Sequence, residues 1–308
     1  NTWKDASGNA GVSNTTANYG IDTVSPTVSS FTIADTDLSK NQTTTVTLVF
    51  SEAVSQFSSD DDITAQSGSL ATMTSSDNIT WTGTFTPTDN IRDTTNILTL
   101  ANTWKDASGN VGVSSTTANY GVDTQAPSVT ITSSNVNSGG RFNGNVAVTF
   151  TISESTNTFA SGDVSVTRGA ISDFAGSGTS YTATFTPSSE GVCEINVNAN
   201  VFTDLSGNAN TAATTFTWTH DTTNPTVSSF TLADTDLSKN QTTTVTLVFS
   251  EAVSDFSNAD ITVQNGTLST MTSSDNITWT GTFTPTDNLR DTTNVLTLGT
   301  NYTDVAGN

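Results

Sequence analysis

The sequence predicts an all-β chain of tandem Ig-like β-sandwich domains arranged in a linear rod. Three observations predict this fold class. Apolar residues alternate with threonine along short segments such as residues 79–85, which is typical of strands with one buried face. Clusters of turn-forming residues separate these segments, and none of them has a helical period. The same sequence markers also recur about every 100 residues, which indicates repeated domains.

Each repeat is expected to contain about seven short strands, which is the size and pattern of an Ig-like sandwich. Val46, Leu48 and Phe50 alternate with polar or less apolar neighbours and predict one buried sheet face. A single cysteine, Cys193, excludes the Ig disulfide, so the core must be held by packing alone. The strands expected in the first complete repeat are residues 27–33, 44–50, 62–66, 69–74, 79–85, 95–100 and 111–120.

The repeat is clearest in the string Asp-x-x-Gly-Asn, which begins at Asp5, Asp106, Asp204 and Asp304. These starts are 101, 98 and 100 residues apart (106 − 5, 204 − 106 and 304 − 204). Residues 27–58 and 226–257 differ at only two positions. The sequence therefore predicts complete repeats at residues 23–122 and 123–220, and a third at 221–308.

The two ends of the sequence extend this pattern. Residues 1–22 repeat residues 102–123 almost letter for letter, so we interpret them as the C-terminal part of a preceding repeat. The third repeat is expected to lack its last strand, and the sequence is interpreted as a piece of a longer chain. Residues 10–22 of another molecule have the right pattern to fill that position.

Composition excludes several classes of function. The chain has 29 acidic and 8 basic residues and a net charge of −21, which argues against nucleic acid or anionic membranes as partners. No apolar run reaches the roughly 20 residues of a membrane-spanning helix. With one histidine and one cysteine the chain is not expected to be an enzyme. Paired carboxylates could suggest a glycosidase, but they recur at every junction, as structural sites do and catalytic pairs seldom do.

Carboxylates are expected to converge at each junction between repeats. If successive strands alternate in direction, three turns lie at the same end of the sandwich: the one after residues 44–50, the one before residues 62–66 and the Asp-x-x-Gly-Asn turn. The linker aspartate that enters the repeat reaches that end too. The predicted groups are Asp22, Glu52, Asp106 and Asp62 at the first junction; Asp123, Glu154, Asp204 and Asp163 at the second; and Asp221, Glu251, Asp304 and Asp260 at the third.

Such groups favour calcium. Carboxylates within about 5 Å repel each other by a few kcal/mol per pair at an effective dielectric near 20. No lysine or arginine recurs beside all three groups to compensate. A hard cation with roughly 6–8 oxygen ligands resolves the conflict, which describes Ca²⁺ rather than zinc. The alternative is that Asp-x-x-Gly-Asn is only an Asx-turn, in which glycine supplies the positive φ.

A second acidic set is expected at the opposite end of the sandwich. The middle repeat lacks it, because polar and single acidic residues stand at the corresponding positions. An acidic loop in solvent, partly paired by Arg92 or Arg290, is the alternative to a second calcium site. The set comprises Asp35, Asp37, Asp89 and Asp93 in the first repeat and Asp234, Asp236, Asp287 and Asp291 in the third.

Other residues are expected to be structural. His220 stands where Ile21 and Val122 stand in the other linkers, so it is interpreted as an ordinary linker side chain. Cys193 lies in an alternating strand and is expected to be a buried or half-buried thiol. The aromatic side chains Trp81, Trp279 and Tyr181 are predicted to belong to the cores rather than to a sugar-binding platform.

Several motifs carry a resemblance to a known family. These are F-S-E-A-V at residues 50–54, then F-S-x-x-D-I, W-T-G-T-F-T-P-T, and D-x-x-G-N before D-T-x-x-P. The chain resembles the bacterial Ig-like repeats of giant type I-secreted adhesins and biofilm-associated surface proteins. The resemblance implies an extracellular or cell-surface stalk whose repeats bind calcium at their junctions. It also implies that any host-cell or abiotic surface is gripped by another part of the protein.

Two functions of different classes remain open. In the first, short linkers such as residues 123–127 leave little slack, so that calcium at each junction makes the repeats a stiff stalk. In the second, the repeats themselves bind a host glycan or other surface ligand through threonine-rich outer faces, such as Thr43–Thr45 and Thr47.

Overall fold

The computed structural model describes residues 2–308, which form two compact units. The first unit ends at Gln125 and the second begins at Ala126. Strands dominate both units, and helix is confined to single short turns. No helix among residues 2–308 is both long and apolar enough to cross a membrane.

The first unit contains one Ig-like repeat made of three small sheets. These have the strand orders β1-β3-β6-β5, β2-β10-β7 and β4-β8-β9. Neighbouring strands are antiparallel except for β2 and β10, which are parallel. The elements are β1 (Val28–Ile33), β2 (Asp37–Ser39), β3 (Thr44–Phe50), α1 (Ser59–Asp62), β4 (Ile63–Ala65), β5 (Gly68–Leu70), β6 (Thr80–Pro87), β7 (Arg92–Asn96), β8 (Leu98–Leu100), β9 (Ser115–Thr116) and β10 (Tyr120–Asp123).

The core of this repeat lies between the sheets. Val46, Leu48 and Phe50 of β3 are at most 1% exposed, as the period of two predicts. Trp104 is fully buried, and its ring centroid lies 4.4 Å from that of Phe50. Full burial of one such apolar side chain contributes about 1.5–3 kcal/mol. The core thus holds without a disulfide, as the sequence predicts.

The second unit begins with a complete repeat of two sheets, ordered β11-β13-β15 and β12-β17-β16-β14. Cys193 of β16 and Trp218 of β17 are buried in its core. The elements are β11 (Val129–Ser133), β12 (Arg141–Phe142), β13 (Val146–Thr156), a 3₁₀ turn (Ser161–Asp163), β14 (Val164–Thr167), β15 (Gly169–Pro187), β16 (Gly191–Val197) and β17 (Phe216–His220).

The remainder of the second unit is a repeat with fewer strands. Its sheets have the orders β18-β19-β22-β21 and β20-β23. Within the described residues 221–308, no strand corresponds to β2, β7, β9 or β10 of the first repeat. The elements are β18 (Val227–Leu232), β19 (Thr243–Phe249), a 3₁₀ turn (Asn258–Asp260), β20 (Ile261–Val263), β21 (Gly266–Leu268), β22 (Thr278–Pro285) and β23 (Leu296–Leu298).

Most sequence-predicted strands are confirmed, with several differences in the first repeat. Within residues 111–120 only β9 and the first residue of β10 are strand, and the predicted strand 69–74 is shortened to β5. β2 and most of β7 form where turns were predicted. The aromatic side chains occupy the expected places. Tyr181 is buried, and Trp81 and Trp279 are partly buried against their cores.

Candidate metal centres

The first group of carboxylates forms within the first unit. Asp22, Glu52 and Asp106 each place an oxygen so that all three atoms lie within 4.8 Å of one another. Asp22 is exposed, Glu52 is half-buried, and Asp106 is buried. They come from the linker, from the turn after β3 and from the Asp-x-x-Gly-Asn turn, as the alternation of strand direction predicts.

The Asp-x-x-Gly-Asn turn fixes the Asp106 carboxylate. Its Oδ1 accepts hydrogen bonds from the backbone N–H groups of Ser108 at 2.8 Å and Asn110 at 2.9 Å, and its Oδ2 accepts one from Asn110 Nδ2 at 2.7 Å. Gly109 has φ +89°, where an L side chain is strained. Burial raises the pKa of Asp106, but the hydrogen bonds from Asn110, Ser108 and Gly109 outweigh it and lower the pKa overall.

The same turn holds the linker. The Ser108 hydroxyl donates to Asp22 Oδ2 at 2.9 Å, and Asn110 Nδ2 lies 3.4 Å from the backbone oxygen of Asp22. The Asx-turn that the sequence offered as an alternative is therefore present, and it brings the linker to the carboxylates as well. This role of Ser108 and Asn110 is not among the predictions from the sequence, although the recurrence of asparagine at the motif's last position was an available signal.

The third predicted group forms within the second unit. Oxygens of Asp221, Glu251 and Asp304 also lie within 4.8 Å of one another. Asp221 and Asp304 are buried, and Glu251 is half-buried. Asp304 Oδ1 accepts backbone hydrogen bonds from Ala306, Gly307 and Asn308 at 2.8–2.9 Å.

Asn308 repeats the contact that Asn110 makes. Its Nδ2 donates to the backbone oxygen of Asp221 at 2.8 Å and to Asp304 Oδ2 at 2.9 Å. Its Oδ1 accepts a hydrogen bond from Asn143 Nδ2 at 3.1 Å. The last asparagine of the motif thus ties one repeat to the linker and to the repeat before it.

The pKa of Glu251 responds to the crowding of acidic groups. Burial raises the pKa of Glu251, and the neighbouring charges of Asp221 and Asp304 raise it further, while Arg141 lowers it. Asp304 behaves differently, because hydrogen bonds from Asn308, Gly307 and Ala306 outweigh its burial and lower its pKa. The turn therefore favours the charged form of Asp304, whereas Glu251 faces its acidic neighbours without such hydrogen bonds.

Two arginines lie beside linker aspartates, although neither recurs beside all three groups. Arg141 Nη1 lies 2.7 Å from Asp221 Oδ2, and Arg92 Nε lies 3.5 Å from Asp123 Oδ2. Arg141 belongs to β12 and Arg92 to β7. They occupy different positions in their repeats, so no shared sequence motif marks them.

The second predicted group is divided between the units. Asp123 lies in the first unit, beside Arg92. Within the second unit, Glu154 and Asp204 are buried and place oxygens within 4.8 Å of each other. Asp204 accepts hydrogen bonds from the backbone N–H and the Nδ2 of Asn208 at 2.8 and 2.9 Å. Their association with Asp123 stays a prediction.

Asp62, Asp163 and Asp260 do not join these groups, contrary to the prediction. Each carboxylate instead accepts a hydrogen bond from a backbone N–H three or four residues earlier, at 2.8–2.9 Å. The donors are Ser58, Ala160 and Ser257. Asp62 also accepts a hydrogen bond from Thr103. Each carboxylate thus satisfies the first backbone N–H of a short helical turn, as the acidic member of a capping box does.

The second acidic set forms no group of three metal-ligating atoms within the part of the chain that the structure describes. Asp35 accepts hydrogen bonds from the Asp37 backbone and from Gln42 Nε2, and Asp234 has the same two kinds of partner in the third repeat. Asp93 and Asp291 likewise accept hydrogen bonds from residues two positions later. These are turn-stabilising contacts.

The three-carboxylate groups fit a hard divalent cation. Their donors are carboxylate oxygens, with no imidazole or thiolate within the group, which suits Ca²⁺ better than Zn²⁺. In the third group the carboxylates and Arg141 together carry two negative charges, which one divalent cation balances.

Comparison with known proteins identifies a family. The model described as bacterial Ig-like domain matches residues 22–122, 123–219 and 221–308. None of the curated proteins compared with this chain matches it. Among solved structures, the chain is similar to the crystal structure of invasin, a bacterial integrin-binding protein, with 14% identity and a TM-score of 0.30. That match covers 83% of this chain and 54% of the invasin chain, so the present chain spans about half of that structure.

Proposed function

Since this chain belongs to the bacterial Ig-like domain family, we propose that it is a stalk segment of a bacterial surface adhesin. In this proposal calcium binds at the junctions and stiffens the array, so that another part of the protein is presented at a distance. The repeats are residues 23–122, 123–220 and 221–308, and residues 1–22 end a preceding repeat. The segment acts outside the cell, after type I secretion, and has no catalytic role.

The observation that carries the proposal is the position of the linker aspartates. Asp22 and Asp221 each enter a group whose other two members belong to the following repeat. Calcium, when bound, supplies the positive charge that three adjacent carboxylates lack. The ligands would be Asp22, Glu52 and Asp106 at the first junction and Asp221, Glu251 and Asp304 at the third. Asp123, Glu154 and Asp204 would serve at the second.

The chain's own contacts hold the first and third linkers in place for this role. Asn110 and Asn308 hold the linker backbone against the Asp-x-x-Gly-Asn turn in the two repeats. In the second unit Thr222 and Thr223 also donate hydrogen bonds to Glu190, which fastens the linker to the repeat before it. A linker that is fixed on both sides loses its freedom to bend. A strand of about 10 residues spans about 33 Å, which sets the length that one repeat adds to the stalk.

A specific observation supports a second candidate, a ligand-binding surface. Thr32, Thr47 and Thr82 lie side by side on β1, β3 and β6, and Thr231, Thr246 and Thr280 lie likewise in the third repeat. Such rows of hydroxyl groups could bind a glycan, although threonine also suits the solvent face of any soluble sheet. Calcium-dependent binding of the chain on a glycan array would favour this candidate over the stalk.

Small-angle X-ray scattering tests the stalk directly. The chain is measured in about 1 mM calcium and in excess chelator, beside the double variant Glu52→Gln/Glu251→Gln. We expect an extended, stiff profile in calcium that becomes flexible in chelator, and a variant that responds less at the same calcium concentration. Identical profiles in both solutions, with no bound calcium, would mean that the acidic groups only stabilise turns, and would overturn the proposal.

A further inference from the structure

The linker aspartates share one local geometry. Oδ1 of Asp22, Asp123 and Asp221 accepts a hydrogen bond from the backbone N–H two residues later, at 3.1–3.3 Å. This Asx-turn fixes one oxygen of each carboxylate, so that Oδ2 is the oxygen that meets a side chain from elsewhere. For Asp123 and Asp221 that side chain is an arginine of the preceding repeat, Arg92 at 3.5 Å and Arg141 at 2.7 Å.

The last strand of each complete repeat leads into the linker between two neighbouring strands. In the first repeat β10 lies between β2 and β7, and in the middle repeat β17 lies between β12 and β16. The pairing extends to the linker, because the Asp221 N–H donates to the backbone oxygen of Phe142 on β12 at 3.3 Å. An arginine on either neighbouring strand can therefore reach the linker carboxylate.

The two repeats exchange the charges on these neighbouring strands. Arg141 occupies on β12 the register position that Asp37 occupies on β2. On the other side, Glu190 precedes β16 at the register position that Arg92 occupies on β7. Each repeat thus places one arginine and one acidic residue beside its linker aspartate, on opposite sides. The two repeats share the guanidinium at that aspartate and not the position from which it comes.

The guanidinium of Arg141 acts on the following repeat as well. It makes a short, charge-assisted hydrogen bond to Asp221, whose side chain is 11% exposed. Burial raises the pKa of Glu251 and the charges of Asp221 and Asp304 raise it further, whereas Arg141 lowers it. One arginine of the middle repeat therefore offsets part of the repulsion within a group whose other members lie in the linker and the third repeat.

We propose that Arg141 is a resident counter-cation of the third group, which holds Asp221 beside Glu251 and Asp304 when calcium is absent and opposes calcium when it binds. The second half of this inference rests on the proposed function. A guanidinium carries one positive charge and offers donors only, so it stabilises the empty group and repels the ion. By linkage, a residue that stabilises the empty group more than the calcium-bound group weakens calcium binding.

Thermal unfolding of the whole chain in chelator tests the first half. Arg141→Gln should lower the melting temperature of the second unit by about 2–4 °C. The loss should shrink in 1 M salt, where charges are screened beyond about 3 Å, and Arg141→Lys should keep most of the stability. Arg290→Gln is the matched control, because it removes the same charge from an exposed arginine outside the group, and it should unfold like the parent chain.

The exchange of charges supplies a rescue experiment. Arg141→Asp/Glu190→Arg moves the guanidinium to the side of the linker that the first repeat uses, and it should unfold at a higher temperature than Arg141→Asp alone. Arg141→Asp/Glu194→Arg adds the same charge at an exposed position on β16 and should not restore stability. Equal rescue by both double variants would show that only net charge matters and would overturn the proposal.

Calcium titration calorimetry tests the second half. In a Glu52→Gln background, which weakens the first group, Arg141→Gln should bind calcium at the third group roughly fivefold more tightly. Unfolding of Arg141→Gln that matches Arg290→Gln in chelator, or calcium binding that Arg141→Gln leaves unchanged or weakens, would overturn the inference and leave the stalk intact. Absence of calcium binding by the parent chain would instead refute the stalk, and unfolding in chelator would still decide whether Arg141 holds the linker.

Discussion

Glu251→Gln should have opposite effects on stability with and without calcium. The substitution removes one charge from the third group and keeps the size of the side chain. In chelator it relieves repulsion between Glu251 and the two aspartates that raise its pKa, Asp221 and Asp304. In calcium it removes a charged ligand. An effect on stability that changes sign between the two solutions is the signature of a metal site.

The expected magnitude follows from the geometry. Two unit charges 4.8 Å apart repel by about 3.5 kcal/mol at an effective dielectric of 20. Solvent screens the half-buried Glu251, and the attraction of Arg141 offsets part of the repulsion, which leaves a net gain of about 1 kcal/mol. For a domain of this size that corresponds to a rise in melting temperature of about 4–8 °C in chelator. In calcium we expect roughly tenfold weaker binding, or about 1.4 kcal/mol.

Thermal unfolding monitored by circular dichroism, in calcium and in chelator, measures both effects of Glu251→Gln on stability. Glu194→Gln is the matched control, because it removes the same charge from an exposed position on β16. It should change stability by less than about 0.5 kcal/mol in either solution. If Glu251→Gln behaves like this control, or destabilises the chain in chelator, the reasoning from carboxylate repulsion is refuted.

Three further predictions concern the turns and the core. In chelator, the contribution of Glu251 to stability should be fully present below its ordinary pKa of 4.5 and lost as pH rises through its raised folded pKa, whereas the contribution of Asp304 should be present above 3.8 and lost as pH falls through its lowered folded pKa. Unfolding measured from pH 3 to 8 should therefore show the highest stability between these limits. A stability that does not change with pH would contradict both assignments. Gly109→Ala should cost about 1–2 kcal/mol because φ is +89°, and should weaken calcium binding in calorimetry, whereas Gly8→Ala, with φ +87° in the exposed copy of the turn, should leave calcium binding unchanged. Cys193 should resist thiol reagents until the second repeat unfolds, because it is fully buried and burial raises its pKa; rapid labelling in native buffer would contradict that burial.

Alternating patterns in the sequence predicted the central strands well. The alternation of Val46, Leu48 and Phe50 with their neighbours predicts a strand over residues 44–50, and β3 has these bounds and buries all three side chains. Such a strand carries its own signal, because its apolar face must be buried in any fold that the chain adopts.

Strands that depend on a partner could not be predicted in this way. Residues 92–96 form β7, yet residues 290–294 have the same sequence and form no strand. The difference is β10, which pairs with β7 in the first repeat, whereas no strand pairs with residues 290–294 among the described residues 221–308. An edge strand without apolar residues exists only where tertiary pairing supplies its hydrogen bonds, so its local sequence is uninformative.

The candidate sites likewise divide into residues that the sequence predicts and residues whose positions depend on tertiary contacts. Strand direction alone placed Asp22, Glu52 and Asp106 at one end of the repeat, and the structure brings them together. The prediction failed for Asp62, because a neighbouring backbone N–H competes for its carboxylate. It also missed Arg141, whose position depends on the packing of the preceding repeat against the linker.

Calcium titration calorimetry of the whole chain tests the central claim most directly. The account predicts that at least two ions bind, one at Asp22, Glu52 and Asp106 and one at Asp221, Glu251 and Asp304. It also predicts that Glu52→Gln and Glu251→Gln each weaken one of these sites and leave the other unchanged. Absence of calcium binding at millimolar concentration, or binding that neither substitution affects, would contradict it.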